Sequence, residues 1–204
     1  MNIYLVRHGQ NEDNAEGLLN GLRDRPLTAI GLEQAREAAK NIAATGIVFD
    51  AVYTSPLVRA KKTAEIIAVR LGLPAPTVLA DLVERDFGVM TGVPQSEIAQ
   101  RCSPDIIETP TVTYFLTPEG AETFPQVLTR SQRLLAQLSA HHDKKNVLLV
   151  AHSDVGKMIY AAYYGLPWKD VLTQFHFGNS EMLRLSPDSP ASDAHVFQIT
   201  QHNS

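Results

Sequence analysis

Asn2-Ile3-Tyr4-Leu5-Val6-Arg7-His8-Gly9-Gln10-Asn11 joins an apolar run to a cation, an imidazole and a glycine. The apolar part, rich in β-branched and aromatic side chains, predicts a buried strand. In an open α/β sheet, ligands bind outside the carboxyl ends of the strands. A histidine at such an end, beside an arginine and on backbone that Gly9 makes permissive, suits a nucleophile or base aimed at an anion. Val147-Leu148-Leu149-Val150-Ala151-His152 repeats the grammar. Two histidines, each just past a buried strand, converge on one crevice if the strands are neighbours in a parallel sheet.

Working outward, strand and helix patterns alternate, which predicts a three-layer α/β/α sandwich with a mostly parallel central sheet. Strands are expected over 2–6, 51–54, 77–80, 146–151, 175–177, 182–185 and 196–199. Helices are expected from Thr28 as N-cap to about Ala44, from Ser55-Pro56 to about Leu71, over 95–101, from Thr123 to His142, and from the His152 loop to about Tyr164. Trp168 reads as the anchor of the Gly165-Leu166-Pro167 turn, and Asp154 as the N-cap of the helix after His152. Between Gly92 and Thr123, four prolines break the pattern into an irregular stretch. The 204 residues are read as a single domain in which 93–124 is a substrate-covering insertion.

Composition narrows the function classes. Hydrophobic content of 44% and charged content of 20% are those of an ordinary globule, and a net charge of -4 argues against nucleic-acid or membrane-surface partners. An anionic substrate would need a local basic pocket. A single cysteine, Cys102, excludes an internal disulfide and cysteine-based zinc sites. With no signal-peptide pattern and no apolar run long enough to span a bilayer, the expected location is cytoplasmic. Oligomeric state is left open.

Ser55-Pro56-Leu57 with Arg59 also begins at a strand end. A helix N-terminus there favours anions, and the planar fork of Arg59 can grip a phosphate bidentately. Together, Arg7-His8-Gly9-Gln10, Pro26-Leu27-Thr28 with Gly31, Ser55-Pro56-Leu57 with Arg59-Ala60 and Thr63-Ala64, Glu84 before Phe87-Gly88, and Val150-Ala151-His152 resemble the histidine phosphatase superfamily, the phosphoglycerate mutase-like group. The motifs occur in the family's order and span most of the chain.

That resemblance implies the phosphoglycerate mutase-like fold and a set of roles. His8 would attack phosphorus and form a phosphohistidine. Arg7, Arg59 and His152 would hold the peripheral oxygens of the phosphoryl group. Glu84 would protonate the leaving alkoxide and then activate water, with Asp86 a lesser alternative. Asn14 and the Ser153 backbone N–H would donate to the phosphoryl group, and Gln10 and Gly21 would also border the substrate. No metal or cofactor is implied. The chain departs from the family where Asn11 replaces a common Thr or Ser, its amide still able to donate to phosphate, and where Ser153-Asp154 follows the second histidine.

Three functions fit these residues. The first is metal-independent hydrolysis of a small phosphomonoester. The second is phosphoglycerate mutase activity, which keeps a bisphosphate instead of admitting water. The third is a catalytically silent phosphate-binding module. Mutases of this resemblance generally run longer and carry a basic insertion, whereas 93–124 holds only Arg101 as a basic residue. The hydrolase is therefore expected.

Overall fold

A computed structural model describes residues 1–202. Its six-stranded sheet has the order β3-β2-β6-β1-β7-β8. The strands are β1 (Asn2–Arg7), β2 (Ala51–Thr54), β3 (Thr77–Val78), β6 (Asn146–Ala151), β7 (Met182–Leu185) and β8 (His195–Phe197). The first four run parallel; β7 pairs antiparallel with β1, and β8 antiparallel with β7. With helices on both faces, the fold is the expected three-layer α/β/α sandwich with a mostly parallel sheet.

Alternation along β1 explains the layers. Tyr4 and Val6 pack with Ala39, Ile42, Ala60, Ala64 and Ile67 of the helices α2 (Ala29–Ala44) and α3 (Val58–Leu71). Ile3 and Leu5 point the other way, into a core with Val127, Leu134, Val155 and Ile159 of α5 (Phe124–His141) and α6 (Ser153–Tyr164). Both faces of the sheet are covered, so its central strands read as continuous apolar runs instead of alternating ones. Caps fall where the side chains allow: the Thr28 hydroxyl accepts from the Gly31 N–H, and Thr123 with Gln126 forms a capping box.

Several local expectations need correction. The Ser55-Pro56 helix begins at Val58, whose N–H is capped across space by Asp24 at 2.6 Å. The third strand is only Thr77–Val78, followed by a 3₁₀ turn. The irregular stretch contains a helical turn, α4 (Ile98–Cys102), and a hairpin of β4 (Ile106–Glu108) with β5 (Thr113–Phe115), each strand three residues long. Residues 175–177 are not a strand. Trp168 opens a further helix, α7 (Trp168–Gln174), and its indole stacks on Phe124 at 5.4 Å. A short helix α1 (Glu12–Ala15), capped by Asn11, was not anticipated. No described helix is long and apolar enough to cross a membrane.

Candidate active site

The register Arg7↔Ala151 between β1 and β6 places the two strand-end histidines side by side, with ring centroids 5.0 Å apart. They lie at the carboxyl ends of adjacent parallel strands, as the sequence pattern requires. The loop after β1 is held tight against α2. A Cβ on Gly9 would lie 2.3 Å from the Gly31 carbonyl oxygen, and one on Gly31 would lie 1.9 Å from that of Gln10. Both glycines serve this close approach.

His8 is 3% exposed. Its Nδ1 lies 2.6 Å from its neighbour's carbonyl, Gly9 O, so Nδ1 carries the proton and donates. The lone pair is thereby left on Nε2, which accepts from Arg59 Nε at 3.2 Å. Burial, and then the charges of Arg59 and Arg7, hold the His8 pKa well below the usual imidazole value. The ring is neutral, with its lone pair on Nε2.

Arg59, on the first turn of α3, is fully buried, and burial lowers its pKa to about 10. Its other nitrogens donate to the carbonyls of Arg23 (2.6 Å) and Gly21 (3.0 Å). Arg7 donates to Phe177 O at 2.8 Å, while its buried Nε has no partner. His152 lies at the end of β6 and accepts at Nε2 from the Ser55 hydroxyl, 2.7 Å away; its Nδ1 is buried without a partner. Burial, followed by Arg59, His8 and Arg7, keeps this imidazole neutral too.

Glu84 sits across from these groups, 6% exposed. Its carboxylate accepts from the backbone N–H groups of Arg85 (2.9 Å), Val155 (3.1 Å) and Asp154 (3.3 Å). Burial raises its pKa, with the Asp154 carboxylate adding to the effect and the backbone donors opposing it. Arg130 of α5 anchors the preceding loop. It donates to the carbonyls of Asp81 (2.8 Å) and Val83 (2.9 Å) and grips the Glu122 carboxylate with two nitrogens.

A cavity of about 740 Å³ opens over this floor, lined by Arg7, His8, Asn14, Arg59, Glu84 and Ser153 among others. The tip of the β4–β5 hairpin and the α4 turn form its far wall. His176 borders it as well, its pKa lowered to about 4 by burial and by Arg7.

Gln10, Gly21 and His152 do not line the cavity, and His152 lies fully buried beside the His8 ring. The Gln10 side chain is engaged by the Thr28 hydroxyl and the His202 carbonyl, and Gly21 supports Arg59 from behind. Asn11 is turned inward: its amide oxygen caps α1 and its nitrogen donates to Asn20 at 2.6 Å, so it does not face a phosphate. Asn14 does line the cavity, and its amide oxygen accepts from Asn179 at 3.2 Å. Asp154 is the second residue of α6 and not its N-cap, which is His152; its carboxylate is drawn away by Arg85, 2.8 Å distant. The sequence reading missed Ser55, Arg85 and Arg130 as supports of the site. Among the described residues, no group of three or more His, Cys, Asp or Glu is arranged to hold a metal ion.

Comparison with known proteins places this geometry. Residues 3–199 match the family model of the histidine phosphatase superfamily, branch 1. A 2,3-bisphosphoglycerate-dependent phosphoglycerate mutase of Beijerinckia indica is 31% identical over 202 residues, covering 97% of this chain and 98% of that protein. One of Bradyrhizobium diazoefficiens is 36% identical over 157 residues, covering 74% and 75%. A protein of nearly equal length thus carries the mutase name, so length does not separate mutase from hydrolase, contrary to expectation. Among solved structures, a mycobacterial glucosyl-3-phosphoglycerate phosphatase with VO3 superposes with a TM-score of 0.79 at 28% identity, covering 91% of this chain and 92% of that one. A phosphoserine phosphatase of Entamoeba histolytica in complex with 3-phosphoglyceric acid gives 0.73 at 25%, covering 90% and 89%. By its matched length, motif order and site geometry, the chain belongs to branch 1 of the histidine phosphatase superfamily.

Proposed function

We propose that the protein is a phosphomonoester hydrolase working through a phosphohistidine on His8. The observation that carries this reading is the fixed tautomer of a buried, neutral His8, whose Nε2 lone pair lies beside the Arg59 guanidinium. In the first step Nε2 attacks phosphorus, the ester P–O bond breaks, and Glu84 gives its proton to the departing alkoxide. In the second, Glu84 takes a proton from water, which attacks phosphorus and breaks the P–N bond. A carboxyl with a raised pKa suits both roles.

Arg7, Arg59 and His152 Nδ1 bind the peripheral oxygens, and electrostatic stabilisation by such preorganised donors is the main lever in phosphoryl transfer. Asn14 and the Ser153 N–H add neutral donors, while Gln10 and Gly21 act from behind as supports. The segment 93–124 covers a small-molecule phosphomonoester. A second reading, phosphoglycerate mutase, is favoured by the names and full-length coverage of the sequence relatives. The structural neighbours named as phosphatases favour hydrolysis.

The test is turnover of p-nitrophenyl phosphate, with a denaturing alkaline quench, in which a P–N bond survives, to trap phosphate on the protein. The hydrolase turns it over, labels His8, and loses both properties in His8→Ala. Activity that survives His8→Ala, or that EDTA abolishes, overturns the reading. Interconversion of 2- and 3-phosphoglycerate with catalytic 2,3-bisphosphoglycerate, at rates far above hydrolysis, would establish the mutase instead.

A further inference from the structure

We propose that Asp154 sets the charge of the leaving-group pocket. By neutralising Arg85 it fits the site to phosphomonoesters of uncharged, partly apolar alcohols, and against those whose leaving group carries a second anion. This inference rests on the hydrolase reading.

Three arginines line the cavity: Arg7, Arg59 and Arg85. The first two flank His8 and are assigned to the phosphoryl group, which leaves Arg85 to meet an anionic leaving group. It is 1% exposed, and its guanidinium lies among three rings, 4.3 Å from Phe115, 4.4 Å from Phe124 and 4.8 Å from Phe87. Its Nε donates to Asp154 Oδ2 at 2.8 Å and one terminal nitrogen to the Glu122 carbonyl at 3.3 Å. So packed, it cannot swing toward a ligand, and its charge is already matched. Arg101, the one basic residue of 93–124, does not line the cavity and pairs with Glu97 at 2.6 Å.

The remaining wall is neutral. Phe87, Phe115 and Ile98 offer apolar surface, and Ser96 and Thr113, which also line the cavity, have hydroxyls with no protein partner among the described residues. A carboxylate on the leaving group would be desolvated with no free cation to receive it and with Glu84 and Asp154 nearby, an unfavourable arrangement. A hydroxyl in the same place could bond the wall.

The experiment compares kcat/KM for glycerol 3-phosphate and 3-phosphoglycerate, which differ by a hydroxymethyl group against a carboxylate. Wild type is expected to prefer glycerol 3-phosphate by about 30-fold, or roughly 2 kcal/mol. Asp154→Asn leaves Arg85 unneutralised, and the ratio should move toward 3-phosphoglycerate by about tenfold. Asp154 also raises the Glu84 pKa, but that change acts on both substrates and cancels in the ratio. The double variant R85M/D154L removes both charges and should keep the wild-type preference.

A wild-type ratio at or below one overturns the inference, and this arm stands even if D154N fails to fold. So does a folded D154N protein, by circular dichroism, with an unchanged ratio. Wild type that hydrolyses p-nitrophenyl phosphate yet shows no charge preference defeats this inference alone; inactivity toward every monoester defeats the hydrolase reading and this with it.

Discussion

Removing the Ser55 hydroxyl should disable His152 without touching any residue that faces substrate. Ser55 is fully buried, its Oγ 2.7 Å from His152 Nε2 and 3.3 Å from the Leu57 N–H. The hydroxyl already accepts from Leu57 and has one proton to place; donated to Nε2, it keeps the imidazole proton on Nδ1, the nitrogen with no protein partner. Only that tautomer of a neutral ring can donate to a phosphoryl oxygen.

In Ser55→Ala, the active tautomer must carry a bare buried acceptor, which costs about 1–3 kcal/mol. If that cost is felt in the transition state, kcat/KM falls roughly 5- to 150-fold. The assay is steady-state turnover of p-nitrophenyl phosphate, paired with ¹⁵N NMR of the His152 ring, which reports the protonated nitrogen directly. A kcat/KM within twofold of wild type, or a His152 spectrum that keeps its Nδ1 proton unchanged, would refute the reasoning.

Acid should unfold the protein through its buried histidines: both rings have folded-state pKa values far below the unfolded 6.5, so stability is intact above that pH and lost as pH falls below it, at about 1.4 kcal/mol per pH unit for each ring. Urea titrations between pH 6.5 and 5 should show this slope, and His152→Asn should reduce it; an equal slope in the variant would speak against the assignment. Gly31→Ala drives a methyl into the Gln10 carbonyl and should destabilise by roughly 3 kcal/mol while displacing His8, so a normal melting temperature with normal activity would contradict the packing described. Arg130→Met frees the loop that carries Glu84 and leaves the half-buried Glu122 carboxylate without its partner; a loss of about 2 kcal/mol in chemical denaturation and a lower kcat are expected, with Arg130→Lys recovering part of each.

The central strands, the two long helices flanked by Thr28 and Thr123, and the pairing of the two histidines were legible because each is written in local periodicity. What escaped was short or distant. The strands of the β4–β5 hairpin are too brief for alternation to register among prolines, and α7 buries only Val171 and Leu172. Asp154 looked like a cap because capping is a local rule, whereas its true partner, Arg85, lies 69 positions away and is invisible to any window. Arg130 carries no local signal that separates it from the other polar residues of its helix; only the fold shows it turned inward. Asn11 was read as a donor to phosphate, yet its place just before a helical turn is a capping signal that could have been followed.

The arrangement of β1 between β6 and β7 has a consequence for how the molecule comes into being. Asn2 faces a partner 144 residues further along the chain, and the opposite edge of β1 waits longer still. During synthesis this apolar strand has neither neighbour until most of the polypeptide has emerged, so His8 is among the first residues made and among the last to acquire its surroundings. Such long-range pairing slows folding and leaves the strand open to misassociation in the interval. Catalytic competence should accordingly return in refolding only with the global transition, never with a truncated intermediate.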